Sequence, residues 1–205
     1  EMQKKKTGKL FEFCCLAPAI IAGANQNIKR DMSFIGKELG LLFHKEKIVL
    51  NKFEKEVDRN RRGVLIYLTS NGEDSLVTKN LSCFLSENED GGVYFPPELT
   101  IYIENEKLYV HYGHGRYGHW KYTFRYQNSD FALIGYDSSE NYGPIVNRET
   151  SINFLTKKKL TRENVNEKTL EGGDEIFEET WEDIKTKELR KLSEIKDFTN
   201  LEINK

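Results

Sequence analysis

The sequence predicts an α+β domain built on an antiparallel β-sheet, a meander of hairpins with a helix near the N-terminus and helical segments near the C-terminus. Three observations predict this class. Turn residues separate short runs in which apolar and polar residues alternate. Aromatic and β-branched residues, which favour strands, concentrate between Gly63 and Leu155. Apolar residues at helical spacing occur in the stretches that flank this region.

Length and composition limit the class of protein. A chain of 205 residues with 38% apolar and 31% charged residues suits one soluble domain with a real core. The formal net charge of −2 gives no support for a nucleic-acid partner. The basic run at 157–159 is typical of a solvated turn.

Residues 1–24 have the features of a secretory signal peptide. An apolar run, 13–24, ends in the small-residue pattern Ala22-Gly23-Ala24 and follows a basic stretch formed by Lys4, Lys5, Lys6 and Lys9. We expect cleavage before Asn25, a single β-rich domain over 25–205, and a periplasmic or secreted protein. A retained segment packed on the domain would instead make the protein cytoplasmic. The run is too short, and too interrupted by Pro18, for stable membrane insertion.

The first part of the domain is predicted to hold one helix and three strands. An apolar stripe at spacings of three and four predicts a helix over roughly 28–43; its members are Ile28, Met32, Ile35, Leu39 and Leu42. β-like runs follow at 48–50, 63–69 and 76–85. Cys83 lies in the third run and is predicted to be a buried thiol.

A hairpin is predicted over 99–113, with Asn105-Glu106 as a two-residue turn. This register places Ile103 opposite Leu108, and it pairs Ile101 with Val110 and Leu99 with Tyr112. Those six residues form an apolar face. Because side chains alternate along a strand, the other face carries Thr100, Tyr102, Tyr109 and His111.

A second hairpin is predicted around the turn Asn128-Ser129. Its register pairs Tyr126 with Phe131, Phe124 with Leu133 and Tyr122 with Gly135. Trp120, Tyr122, Phe124 and Tyr126 then share a face, which we expect to be core. His119, Lys121, Thr123 and Arg125 share the other, wet face.

The C-terminal third is predicted to begin with two strands and to end in helices. The run 151–155 reads as a strand, and 159–165 is its expected partner. Phe177, Trp181 and Ile184 then recur at helical spacing within 174–196, and Leu189, Leu192 and Ile195 form a second stripe.

Six residues form the candidate surface for a ligand or partner. Tyr102, Tyr109 and His111 are predicted to point outward, and they are joined by His114, Arg116 and Tyr117 of the glycine-containing loop. Aromatic rings stack on sugars or pack against protein surfaces, while arginine and histidine supply hydrogen bonds. A protein partner and a glycan are both consistent with this set.

Metal and catalytic sites have less support. His111, His114 and His119 are the possible zinc ligands, but their spacing matches no established motif and no fourth ligand is obvious. No nucleophile elbow is present, and Cys83 has no identifiable histidine partner. We therefore expect no cofactor and no catalytic residues.

Two blocks of sequence resemble a group of uncharacterised bacterial exported β-rich proteins. These are YTFRYQNSDFALIGYD at 122–137 and ETSINFL at 149–155, preceded by His111-Tyr112-Gly113 and followed by Thr156-Lys157-Lys158. The pattern in that group is HYGG, then FRYQNGDFxLIGY, then ETSINFLTGKK. Some of its members carry an integrin-like calcium-loop segment, whose acidic ligands are missing here around 40–50. The resemblance implies a β-rich exported domain and no particular activity.

These observations favour a non-enzymatic exported binding protein. One form would be an immunity- or inhibitor-type protein that masks a partner protein. The alternatives are a glycan-binding protein or glycan-active hydrolase, and a metal-dependent enzyme that uses the three histidines.

Overall fold

The computed structural model describes residues 23–33, 48–50, 56–70, 72–86, 97–166, 168, 170–198, 201 and 203. The chain divides into two compact units, Glu1–Glu89 and Asp90–Lys205, and each is described by itself. Residues 1–22 of the predicted signal peptide and 34–43 of the predicted helix lie outside the described residues. The single domain expected over 25–205 stays a prediction. Within the described ranges no helix combines the length and apolar character needed to cross a membrane.

The first unit begins with a short helix, α1, at residues 26–33. Asn25 caps it, because its side-chain Oδ1 accepts the backbone N–H of Ile28 at 3.0 Å. Ile28 is buried, as the predicted stripe requires. The described turns of this helix therefore agree with the start of the one predicted over 28–43.

In the described part of the first unit, four strands follow this helix. β1 (Ile48–Leu50) pairs antiparallel with β2 (Glu56–Asp58), and β3 (Arg62–Ser70) pairs antiparallel with β4 (Glu73–Phe84). They confirm the three predicted runs. Cys83 is fully buried on β4, and this burial raises the pKa of its thiol to about 12. The predicted buried thiol is confirmed, and its raised pKa makes it a poor nucleophile at neutral pH.

The second unit is one seven-stranded antiparallel sheet in which each strand pairs with the next in sequence. The meander is confirmed, and the connections between successive strands from β5 to β10 are short, as antiparallel neighbours allow, whereas a longer segment, residues 165–176, joins β10 to β11. Within the described residues, the first and last strands form its two edges. The strands are β5 (Glu98–Glu104), β6 (Lys107–Gly113), β7 (Gly118–Gln127), β8 (Asp130–Tyr142), β9 (Ile145–Asn153), β10 (Lys158–Asn164) and β11 (Phe177–Asp183).

Both predicted two-residue turns are confirmed. Asn105, Glu106, Asn128 and Ser129 all have positive φ, which matches the twist of a tight hairpin. The register of the first hairpin is the predicted one in all three pairs. Only its β6 half is buried, however: Ile103 on β5 is 64% exposed, because an edge strand has a neighbour on one side only.

The second hairpin departs from its predicted register at one point. Tyr126 and Phe124 face their predicted partners, but Tyr122 faces Tyr136, and Gly135 faces Thr123. A β-bulge between Thr123 and Phe124 accounts for the difference, since it places one extra residue on β8. The side chains of Tyr122 and Phe124 nevertheless stay on the same buried face.

One face of this sheet, the inner face, carries the core of the unit. Its buried side chains on β6 and β7 are Leu108, Val110, Tyr112, Tyr122 and Phe124, as alternation predicts. The C-terminal segment, residues 185–198, covers it with three buried apolar side chains, namely Leu192, Ile195 and Phe198. The same segment bonds to β8, where the N–H of Leu133 donates to the carbonyl of Arg190 at 2.8 Å.

The helix predicted around Phe177 and Trp181 is wrong. These residues belong to β11, which pairs with β10 along its full length. An interval of four residues keeps two side chains on one face of a strand as well as of a helix, so the spacing alone did not separate the two. The helical part of 174–196 is a single 3₁₀ turn at Leu192–Glu194.

Candidate functional site

The face of the sheet opposite the core, the outer face, carries a stacked tyrosine pair. Tyr102 on β5 and Tyr109 on β6 are direct cross-strand partners. Their ring centroids are 4.9 Å apart with an interplanar angle of 16°, and Tyr102 remains 39% exposed. Both residues therefore lie where alternation predicts them, with aromatic surface open to solvent.

Two histidines continue this surface along the strands. The rings of His111 on β6 and His119 on β7 are 5.4 Å apart. Gly113 is paired with His119, and a Cβ added at Gly113 would lie 3.5 Å from Cε1 of His111. A β-carbon at this position would therefore make only an ordinary van der Waals contact with the His111 ring. Burial, and then the nearby charges of His119 and Lys121, lower the pKa of His111.

Lys121 on β7 connects this surface to β8 and β9 through Asp137. Its Nζ lies 3.3 Å from Oδ2 of Asp137 on β8, and Ser151 on β9 donates a hydrogen bond of 2.8 Å to Oδ1 of Asp137. The same Nζ lies 5.8 Å from the centroid of the Tyr109 ring. The sequence placed Lys121 on the wet face, but Asp137 and Ser151 were missed because their position depends on the pairing of β8 with β9.

The glycine-containing loop does not join this surface. Its residues Gly115–Tyr117 form a 3₁₀ turn between β6 and β7. The ring of His114 lies 5.4 Å from Tyr117 and 6.4 Å from Trp120, which stacks on buried Tyr112 of the inner face. The structure therefore separates His114 and Tyr117 from His111, and leaves Arg116 exposed on the turn. We call Tyr102, Tyr109, His111, His119 and Lys121 the outer patch.

The three histidines considered as zinc ligands do not converge. His111 and His119 are neighbours on the outer face, whereas His114 contacts aromatic rings at the inner-face end of the turn. Across the described ranges, no group of three or more His, Cys, Asp or Glu residues is placed to hold a metal ion. A zinc site built from the three histidines is therefore not the arrangement found here.

The outer patch offers aromatic surface and hydrogen-bonding groups on a sheet face. An open cavity of about 420 Å³ is lined by Arg190, Lys191, Ile195 and Leu201 of the C-terminal region, none of which belongs to the outer patch. Exposed aromatic rings beside histidine and lysine side chains are suited to contact with another protein, since aromatic residues are enriched in protein interfaces.

Comparison with known proteins adds no relative: no protein family, no curated protein and no solved structure matches this chain.

Proposed function

We propose that this chain is a non-enzymatic binding protein that contacts a partner protein through the outer patch. The observation that carries the proposal is the stacked Tyr102–Tyr109 pair, open to solvent beside His111 and Lys121. Tyrosines supply large contact areas at low entropic cost and are enriched in protein interfaces. An immunity- or inhibitor-type protein, which masks a partner by covering its surface, is the form of binding that fits such a patch.

The supporting physical argument is pre-organisation. Each tyrosine ring holds the other in place, and Asp137 holds the Lys121 ammonium. A surface whose side chains are already ordered loses less conformational entropy on binding. We further propose a periplasmic or secreted location, which rests on the features of residues 1–24.

Loss of the tyrosine pair tests the proposal. The wild-type chain and its Y102A/Y109A variant are used as bait on extracts of the native host, and retained proteins are quantified by mass spectrometry. Tyr142→Ala is the matched control, since Tyr142 is 74% exposed but lies outside the outer patch. We expect one partner that the wild type and the control retain equally and that the double variant retains at least about tenfold less.

Two outcomes of this experiment would contradict the proposal. Equal retention by all three baits would place the contact elsewhere on the chain. A wild-type bait that retains no specific partner and shows no self-association by analytical ultracentrifugation would contradict the proposed function altogether.

A further inference from the structure

The two edges of the seven-stranded sheet differ in chemistry. β11, at one edge, carries acidic side chains along its whole length: Glu178, Glu179, Glu182 and Asp183. Charges along an edge strand discourage pairing with another chain. β5, at the other edge, has glutamates only at its two ends, Glu98 and Glu104, with five uncharged residues between them.

Among the residues that the structure describes, no strand pairs with the outer side of β5, and the large side chains along this edge are apolar and partly exposed. Ile101, Tyr102 and Ile103 are 38%, 39% and 64% exposed. Their exposure is high for three successive large residues in a strand. An apolar edge strand of this length is a template for strand addition by another chain.

The pairing register identifies the backbone groups that the edge presents. Glu104 and Lys107 close the two-residue turn, so they form a hydrogen-bonded pair. Hydrogen-bonded and non-hydrogen-bonded pairs alternate along an antiparallel ladder. The N–H and C=O groups of Ile103, Ile101 and Leu99 therefore point away from β6, toward the open edge.

The charges at the ends of β5 select among partners. If a second copy of the chain paired antiparallel along the whole of β5, Glu98 of each copy would lie opposite Glu104 of the other. Like charges directly opposite each other destabilise a strand pair. A strand with a basic residue at each of these ends would instead gain two ion pairs on the outer face. Its intervening residues would meet Leu99, Ile101 and Ile103 on one side and Thr100 and Tyr102 on the other.

We propose that β5 is a docking edge for a β-strand of another protein, an apolar strand with a basic residue at each end, which extends the sheet by one strand. This inference rests on the proposed function, because it states how the same partner would reach the outer patch. Tyr102 belongs to both surfaces: its side chain lies in the patch and its strand forms the edge.

Amide hydrogen exchange on the full chain tests the open edge. In the free protein we expect the amides of Leu99, Ile101 and Ile103 to exchange at least about tenfold faster than those of Thr100 and Tyr102. The probe is the capped peptide Lys-Val-Thr-Val-Thr-Val-Lys at millimolar concentration. It should slow the three fast amides, whereas a matched peptide with glutamate at both ends should not.

Two variants assign any protection to the backbone edge. Ile101→Pro removes an outward N–H and is compatible with an edge strand, so the fold should persist while peptide protection is lost. Ile101→Thr keeps the N–H and should keep the protection. Circular dichroism and the exchange pattern of β7 and β8 report whether each variant is folded.

Several outcomes would overturn the docking edge. Slow exchange at Leu99, Ile101 and Ile103 in the free protein would show that another segment or a second copy already covers it. Equal protection by both peptides, or by neither, would also contradict it. If the Ile101→Pro bait retains the host partner and the Y102A/Y109A bait does not, then β5 is not the docking edge, although the proposed function still holds.

Discussion

Tyr122 links the sheet to the C-terminal segment through a single side chain. Its hydroxyl donates a hydrogen bond of 2.9 Å to the carbonyl of Phe198, and the two rings lie 4.9 Å apart. We predict that Tyr122→Phe lowers the free energy of unfolding by about 1 kcal/mol, because it removes this hydrogen bond and leaves the carbonyl only the longer bond, 3.4 Å, from the N–H of Leu201. Urea denaturation measures the loss.

Tyr126→Phe, at a 39% exposed position, is the control and should change stability by less than about 0.5 kcal/mol. Equal effects of the two changes would contradict this role for Tyr122.

His111 makes the folding stability of the chain depend on pH, and the direction of this dependence follows from its lowered pKa. Its pKa is lowered by burial and then by His119 and Lys121, so the unfolded chain binds the proton at a higher pH than the folded chain does. Between the folded pKa and the ordinary value of 6.5, the unfolded state therefore holds more protons, and folding stability rises with pH across that window. At pH values above the ordinary pKa of histidine, the contribution of His111 to folding stability no longer changes with pH.

NMR titration of the His111 ring checks this account. We predict a pKa below 6.5 in the wild type, and a higher one in both His119→Gln and Lys121→Gln, since each change removes a nearby positive charge. A wild-type pKa at or above the ordinary value, or a pKa that falls in these variants, would contradict the arrangement of the three side chains.

At the scale of elements, one arginine contacts the strands on both sides of β10, in addition to the pairs Lys158–Asp183 and Lys159–Glu182 that also reach β11. Arg162 on β10 pairs with Glu149 on β9 at 2.5 Å and with Glu179 on β11 at 3.4 Å, and its guanidinium lies 4.4 Å from the centroid of the Phe177 ring. We predict that Arg162→Ala costs about 1 kcal/mol and speeds amide exchange along β11. Lys158→Ala is the control: its pair with Asp183 is mostly exposed, so exchange along β11 should change little. Faster exchange in the control than in Arg162→Ala would count against the assignment.

The elements differ in how far local sequence determined them. The two hairpins of β5–β8 could be predicted because alternation and turn residues lie within a few positions of each other. The bulge on β8 could not, since no local residue marks where an extra position enters the ladder. β11 was misassigned because its apolar spacing fits both periods, and pairing with β10, a non-local contact, decides between them.

At the scale of the whole molecule, the candidate surface was predicted in part. Alternation alone placed Tyr102, Tyr109 and His111 on one face. The loop residues His114 and Tyr117 were grouped with them by closeness in sequence, but beside the 3₁₀ turn the His114 ring lies against Tyr117 and Trp120. Contacts that span three strands, such as those of Asp137, follow from the complete ladder and cannot be read from one hairpin.

The arrangement of the second unit explains how one sheet can carry both a core and a binding surface. The C-terminal segment returns to cover the inner face with Phe198 and Leu192, so no second sheet is needed to bury it. The core side chains of the inner face do not include those of the outer patch. The proposed function and the docking edge therefore use surfaces that the unit's own core does not need.

Site-specific photo-cross-linking in the native host shows whether the outer patch is the surface that contacts a partner protein. A photoreactive phenylalanine derivative replaces Tyr102 in the outer patch or, as the control, Tyr142, which is more exposed but lies outside it. We expect the Tyr102 position to yield a discrete adduct with one partner protein and the Tyr142 position to yield none with that partner. Adducts of the same protein from both positions, or from Tyr142 alone, would contradict the outer patch as the binding surface.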